Sequence, residues 1–352
     1  MNCVHIAWLG EQNFGDDIMA IAVSNYLRNH FKRFNHAIWC ANRPRLPFTH
    51  WVYPVKTNTL LDNYWENRSL KKADVLLIGG GSVLHSAKSS NWKRKVADRF
   101  KKTGSNKKTL GIGLSVGPFD APDDEAACRD FLRSLDACAL RDRFSYDFAV
   151  GCGLNYKPVL SFDLAACYLE DKKIKSRENK RVIETVGVCV RLPYRADIEI
   201  VTKNYISLLR GLGRKFPKIK LFSFTAKGSQ CDFGYCRELA DASGLDNLQI
   251  IRYTGNDEDF TNQIKSCDFF ISTKLHGIIL PYLLNIPFIA ISYQKKFEDF
   301  ADYIGLSNRY LFQQSSFDPQ AVISAIEPYN LNINPHVWEL ARKNFSVFDA
   351  IN

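Results

Sequence analysis

The chain has 352 residues, 46% hydrophobic and 24% charged, a soluble globular balance with room for two domains that each have a sizeable core. The net charge of +10, from 47 basic against 37 acidic residues, is spread over short clusters such as "RNHFKR", "KSSNWKRKVADRFKKTGSNKK" and "DKKIKSRENKR". With no zinc-finger or RNP-like aromatic motif beside these clusters, nucleic acid is not an expected partner, and no apolar run reaches the roughly 20 residues of a bilayer span.

The first element, "CVHIAWLG", reads as a strand ending in glycine, with no basic leader, long apolar core or small-residue cleavage site before it. A cytoplasmic protein is therefore expected. The basic clusters leave peripheral contact with an anionic membrane surface, at its inner face, open as an addition to that. "DDIMAIAVSNYLRNHFKRF" follows with an acidic start and with Ile18, Ile21, Ala22, Leu27 and Phe31 at near-helical spacing. "HAIWCA", "DVLLIGGGS", "KTLGIGLSVGP" and "ACALRD" are short apolar runs, several of them feeding glycine, as buried parallel strands do.

After "KPVLSFDLAACYL" the stretch "EDKKIKSRENKR" loses all apolar period and reads as a linker. A second alternating series runs from "VIETVGVCVRL" through "KIKLFSFTA", "LQIIRYT", "DFFIST" and "PFIAISY", with helical segments between. The expected fold is α/β, with two Rossmann-like domains facing a central cleft. The expected boundaries are 1–170 for the first domain, 171–182 for the linker, 183–330 for the second domain and 331–352 for a helical tail that can pack back on the first. The ten cysteines are scattered without CxxC pairs and read as buried reduced thiols, with no metal site expected.

In open parallel sheets, ligands bind beyond the carboxyl ends of the strands, so the residues just after each strand are the site candidates. "LGEQNFGDDIMA" supplies Gly10, Gly15, Asp16 and Asp17, where Asp16 is open to a helix-capping or a catalytic reading. The spacing is neither GxGxxG nor a P-loop. "LLIGGGSVLHS" supplies Gly79, Gly80, Gly81 and Ser82, a turn that calls for unusual backbone angles or close approach to a ligand, and His85 just beyond. Arg191 ends "GVCVR", and its planar fork of donors suits a carboxylate or phosphate. "STKLHGIILPYLLN" puts Lys274, His276 and Gly277 between a strand and a helix. His276 is open to packing or to proton transfer, and "SYQKKF" adds Tyr293, Lys295 and Lys296.

In this order, "NFGDD", "IGGGSVL", "GLSVGPF", "LRDRFSYDFA", "SFDLA", "GVCVR" and "STKLHGIILPYLLNIPFIAISYQKKFEDFADYIGL" resemble the polysaccharide pyruvyl transferase family. The resemblance implies a GT-B-like fold. It also implies transfer of pyruvate from phosphoenolpyruvate to a sugar of a cell-surface polysaccharide or its lipid-linked precursor, forming a ketal and releasing phosphate without a cofactor or metal. By motif position, Arg191, Lys274, Lys296 and Gly277 would fall around the donor, and His276 would deliver a proton. Asp16 would act as a base, with Gly15, Gly79, Gly80, Gly81 and Ser82 on the acceptor side. The family commonly has Arg where this chain has Lys274, which leaves the division of labour between Arg191 and Lys274 open. The alternative is a nucleotide-sugar glycosyltransferase of the same architecture, with Glu298 or Asp299 recognising the nucleoside.

Overall fold

The computed structural model describes residues 1–40, 51–53, 60–178, 182–193, 196–228 and 231–351. Its contacts divide the chain into two compact units. One comprises Met1–Gly10, Asp16–Asp171 and Pro335–Asn352, and the other Glu11–Gly15 and Lys172–Asn334.

In the first unit, β1 (Asn2–Ile6), β2 (Asn35–Trp39), β3 (Trp51–Tyr53), β4 (Val75–Leu84), β5 (Lys108–Val116), β6 (Ala137–Leu140) and β7 (Val159–Leu160) form a parallel sheet in the order β3-β2-β1-β4-β5-β6-β7. The apolar runs become strands because both sheet faces are covered by helices: Val4, Ile6, Leu76, Ile78 and Leu114 share one core with Val96, Phe100, Phe131 and Leu132. The chain order reverses between β1 and β4. Since Ile6 pairs with Ile78, residues from Gly79 onward run past the end of β1. The glycine loop therefore sits at the switch point of the sheet, where a doubly wound fold takes its ligand.

The C-terminal segment belongs to this unit, and a buried side chain helps to fix it. Asn344 accepts from the Gly113 amide at 2.9 Å and from Ser161 at 2.9 Å, and donates to the Phe162 carbonyl at 2.6 Å and the Ala341 carbonyl at 2.8 Å. All its hydrogen-bonding capacity is thereby used in a dry site, where an unmade bond would be costly.

The second unit repeats the plan with β8 (Thr185–Cys189), β9 (Lys218–Ser223), β10 (Leu248–Arg252), β11 (Phe269–Ser272), β12 (Phe288–Ser292) and β13 (Leu311–Gln313) in the order β10-β9-β8-β11-β12-β13, all parallel. Its switch point lies between β8 and β11, where Cys189 pairs with Ser272. The helix Ile198–Lys215 backs the sheet with Val201, Tyr205, Leu208, Leu209 and Leu212, and starts at Asp197, whose carboxylate accepts from the Glu199 and Ile200 amides.

The stretch expected as the linker makes ion pairs where it is described. Lys172 pairs with Glu258 at 2.5 Å and Asp257 at 3.5 Å, and Arg177 pairs with buried Asp268 at 2.8 Å. Residues 179–181 lie outside the described part. All ten cysteines are free thiols and nine are buried, with burial pushing Cys128, Cys138 and Cys267 up to about 12. No described helix is long and apolar enough to cross a membrane.

Candidate active site

Three neighbouring strands of the second unit, β8, β11 and β12, carry the expected donor-side residues at their exits. After β11 the chain turns through Thr273, Lys274 and Leu275 into the helix His276–Leu284. Ser272 closes this turn: its hydroxyl accepts from the Lys274 amide and donates to the Lys274 carbonyl, both at 2.9 Å. Gly277 is buried over that hydroxyl. A Cβ there would lie 2.1 Å from Ser272 Oγ, and the Gly277 amide already donates to the Lys274 carbonyl at 2.9 Å. Gly277 thus makes room for the turn, and its amide is engaged within it.

Lys274 does not extend into solvent. Its ammonium forms an ion pair with Asp232, whose side chain is 2% exposed, and donates to Thr225 Oγ1 at 2.7 Å. Asp232 is fixed in turn by Ser223 Oγ at 2.6 Å and the Thr225 amide at 3.1 Å. The charge that the motif order placed on the donor is therefore engaged by a buried carboxylate.

Arg191 and Lys296 meet at a different residue. Tyr293, just past β12, has the Arg191 guanidinium carbon 4.5 Å and the Lys296 ammonium 5.8 Å from its ring centroid. Gln314 donates to the Arg191 carbonyl at 3.3 Å and to Tyr205 Oη at 3.0 Å, fixing the backbone where β8 ends. Glu298 of the following helix accepts from Gln313 at 2.8 Å.

Residues 11–15, expected in the first domain, belong to the unit that contains His276. Asn13 bridges Thr225 in antiparallel fashion, the Ala226 and Lys227 amides donate to the Gln12 and Glu11 carbonyls, and the Phe14 amide donates to the Phe224 carbonyl. Phe14 is fully buried among Phe224, Tyr253 and Phe260, with ring centroids 4.6–5.5 Å away. This anchoring lays Gly15 on the imidazole: a Cβ at Gly15 would lie 2.0 Å from His276 Nδ1. Gly15, expected on the acceptor side, is a neighbour of the expected proton donor.

The other candidates lie in the first unit. Gly80 and Gly81 adopt φ of +77° and +97°, angles that L side chains rarely take, and a Cβ on Gly81 would lie 3.3 Å from Asp16 Oδ1. Asp16 thus faces the glycine loop. Gly79 is bare for a packing reason, since a Cβ there would lie 2.3 Å from Ile112 Cγ2. The Ser82 side chain lies outside the described residues, and His85 is exposed at the end of β4.

One buried pair of this unit was quoted in the sequence motifs without a role. Arg141 meets Asp163 at 2.7 Å with both side chains almost fully buried, and its guanidinium lies 3.7 Å from Met19 Sδ, with Met19 packed against Gly80 and Gly81. The signal available in the sequence was an "LRD" strand exit followed by "SFD".

A profile of the polysaccharide pyruvyl transferase family matches residues 13–295. The chain belongs to that family. The matched span contains Gly15, Asp16, the Gly79–Gly81 loop, Arg191, Lys274, His276 and Gly277 of this pyruvyl transferase family member, and stops one residue short of Lys296.

No curated protein sequence matches significantly. Among solved structures, the chain is similar to the Methanocaldococcus jannaschii UDP-GlcNAc 2-epimerase in complex with UDP-GlcNAc and UDP, at 12% identity and a TM-score of 0.60 over 97% of this chain and 98% of that one. A Rickettsia africae glycosyltransferase aligns at 13% identity and a TM-score of 0.52, over 99% of this chain and 93% of that one. These likenesses speak to the fold: the family member is GT-B-like, with two parallel-sheet α/β domains.

Proposed function

We propose that this family member transfers pyruvate from phosphoenolpyruvate to a sugar of a cell-surface polysaccharide or its lipid-linked precursor, forming a cyclic ketal and releasing phosphate. The observation that carries the proposal is the set of side chains at the adjacent exits of β8, β11 and β12. A histidine stands at one exit, and two cations share an aromatic ring at the other two.

Phosphoenolpyruvate is an anion bearing one carboxylate and one phosphate. In the proposed reaction, Arg191 and Lys296 hold these two groups, the guanidinium suiting a planar carboxylate or a phosphate edge. Lys274 is committed to Asp232, and its contribution is to shape the turn that presents His276. His276 donates a proton to the methylene carbon, which becomes a methyl group and leaves an electron-poor C2. One sugar hydroxyl adds to C2, and its proton makes good the one that His276 gave up. A second hydroxyl of the same sugar then displaces phosphate by breaking the C2–O bond, and its proton is carried off on the released phosphate. Asp16, beside the Gly81 backbone, is assigned to the acceptor hydroxyl. The reaction as written uses no cofactor and no metal, so turnover abolished by EDTA would contradict that part.

Thermal unfolding with added ligand tests the donor assignment, because a ligand that binds the folded state raises its stability. Phosphoenolpyruvate is expected to raise Tm in a concentration-dependent way, and Arg191→Ala to remove the effect. Stabilisation by UDP-sugars with none by phosphoenolpyruvate would overturn the assignment in favour of a nucleotide-sugar transferase.

A further inference from the structure

Strand β1 ends at Ile6, and the chain leaves the sheet through Ala7, Trp8 and Leu9. The Leu9 amide donates to the Ala7 carbonyl at 2.9 Å, which closes a three-residue turn with Trp8 at its apex. Ile6 and Leu9 are buried on either side, whereas Trp8 is 46% exposed. The backbone is thus fixed on both sides of a large apolar ring that the fold leaves in water. Among the described residues the indole forms no hydrogen bond, ion pair or ring contact.

A solitary exposed aromatic is ordinary on a protein surface, but this one stands at the switch point of its sheet. Because Ile6 pairs with Ile78, the turn after β1 runs beside Gly79, Gly80 and Gly81. A Cβ on Gly80 would lie 3.8 Å from Met19 and 3.9 Å from Ala7 Cβ, ordinary contact distances. Crowding therefore does not exclude a side chain at Gly80. Its φ of +77° does, and the result is bare main chain next to the turn that carries Trp8. Asp16 stands at the same loop, with Oδ1 3.3 Å from where a Cβ on Gly81 would lie. An exposed apolar ring, open main chain and a carboxylate are thereby gathered at one end of one sheet, where a doubly wound fold takes its ligand.

That combination suits a pyranose. The hydroxyls around its rim hydrogen-bond to main chain and carboxylate, while the C–H groups of one ring face are apolar and pack on an aromatic ring. Indole gives a large, rigid contact area at the cost of two side-chain torsions. We infer that Trp8 is the platform on which a sugar ring of the acceptor glycan stacks, holding its hydroxyls beside the glycine loop and Asp16. The inference rests on the reading of the first sheet's switch point as the acceptor side. A platform of this kind holds the sugar before and during reaction alike, so its loss raises KM for the glycan and leaves kcat.

The test compares the full chain with Trp8→Phe and Trp8→Ala. Ketal formation is followed over a dilution series of lipid-linked glycan extract from the source cells, and tryptophan emission is recorded with the oligosaccharide freed from that extract by mild acid. Trp8→Ala is expected to raise the apparent KM for the glycan about 10- to 100-fold, and Trp8→Phe by less than about fivefold. The KM for phosphoenolpyruvate and Tm should change little, since the ring is exposed and makes no core contact. The oligosaccharide should shift the emission of the parent to shorter wavelength, as the indole leaves water, and leave that of Trp8→Phe unshifted. An unchanged glycan KM in Trp8→Ala, or a fall in kcat alone, would overturn the inference while leaving the pyruvyl-transfer reading standing. An emission shift that is lost in Trp8→Phe, from a parent that forms no ketal, would uphold the platform and remove that reading. A parent that forms no ketal and shows no shift would overturn both.

Discussion

His276 is confined by a residue with no side chain. The Cα of Gly15 lies so close to the imidazole that an added methyl group would lie 2.0 Å from Nδ1. Gly15→Ala must therefore turn the ring or lift the segment. We predict that it removes most of the turnover that His276→Ala removes, a loss on the order of 10²- to 10⁴-fold for a positioned acid. In the His276→Ala background, where the ring is gone, Gly15→Ala should add almost no further loss of Tm. Independent, additive costs of the two changes would contradict this account.

Lys274 carries a second residue-scale prediction. Removing it leaves the Asp232 carboxylate buried beside Ser223 and Thr225 without its counter-charge. Lys274→Met should cost roughly 3–5 kcal/mol in urea unfolding, and Lys274→Met with Asp232→Asn should recover much of it. Single and double variants of equal stability would show that the ion pair does not hold the turn. The sequence showed Lys274 and His276 at a strand exit but gave no sign of Asp232, because the pairing is made across 42 positions and buried acids look like any others in one dimension. Tyr293 was visible as a neighbour of the lysines. Its part in gathering Arg191 became legible only once β8 and β12 were known to flank β11.

At the scale of elements, the most consequential piece is the five-residue segment Glu11–Gly15. The stretch around it, with Gly10, Gly15, Asp16 and Asp17, reads as an ordinary strand-to-helix loop, yet the segment adds a bridge and a buried aromatic to the second unit. Phe14 fills a site lined by Phe224, Tyr253 and Phe260. Phe14→Ala should destabilise the second unit by about 3–5 kcal/mol, the usual cost of emptying a buried aromatic site. Hydrogen exchange should show the loss of protection at residues 224–227, whose amides and carbonyls pair with the segment. Protection unchanged at those residues would mean that the segment is a passenger.

Strands β8 to β12 were legible because each is an apolar run ended by a turn residue. β3 and β13 were not, being three residues long and without alternation. The ion pairs of the basic stretch were hidden for a related reason: nothing in "DKKIKSR" itself points to its partners, Asp257, Glu258 and Asp268.

At the scale of the whole molecule, both sheets follow one strand order, and in each candidate residues fall at the switch point, with Tyr293 and Lys296 one strand further on in the second. The doubling of the α/β plan was readable from the alternation of strands and helices around a polar stretch. The assignment of 11–15 to the second unit was not, since it depends on contacts distant in sequence, while the C-terminal tail, expected to be able to pack back on the first unit, has residues 335–352 in that unit.

Global stability should carry a pH signature from His5 in β1. His5 is buried against His36, with Nδ1 3.1 Å from His36 Nε2, and burial pushes its pKa down to about 4. The folded state keeps His5 neutral while the unfolded chain takes up a proton below about pH 6.5. Stability is thus complete above that pH and is lost as pH falls towards 4, by an amount on the order of 3 kcal/mol. Urea titrations across this range should show the decline in the parent and a flatter curve for His5→Gln. Parallel curves would place the acid sensitivity elsewhere.

The measurement that bears most directly on the central claim is carbon-13 NMR of the full chain incubated with phosphoenolpyruvate labelled at C2 and a lipid-linked glycan extract from the source cells. Inorganic phosphate is assayed alongside. The account predicts that the enol carbon signal gives way to a ketal carbon on the glycan, with one phosphate released per ketal and neither product formed by His276→Ala. Unchanged phosphoenolpyruvate beside nucleotide release from added UDP-sugars would contradict it.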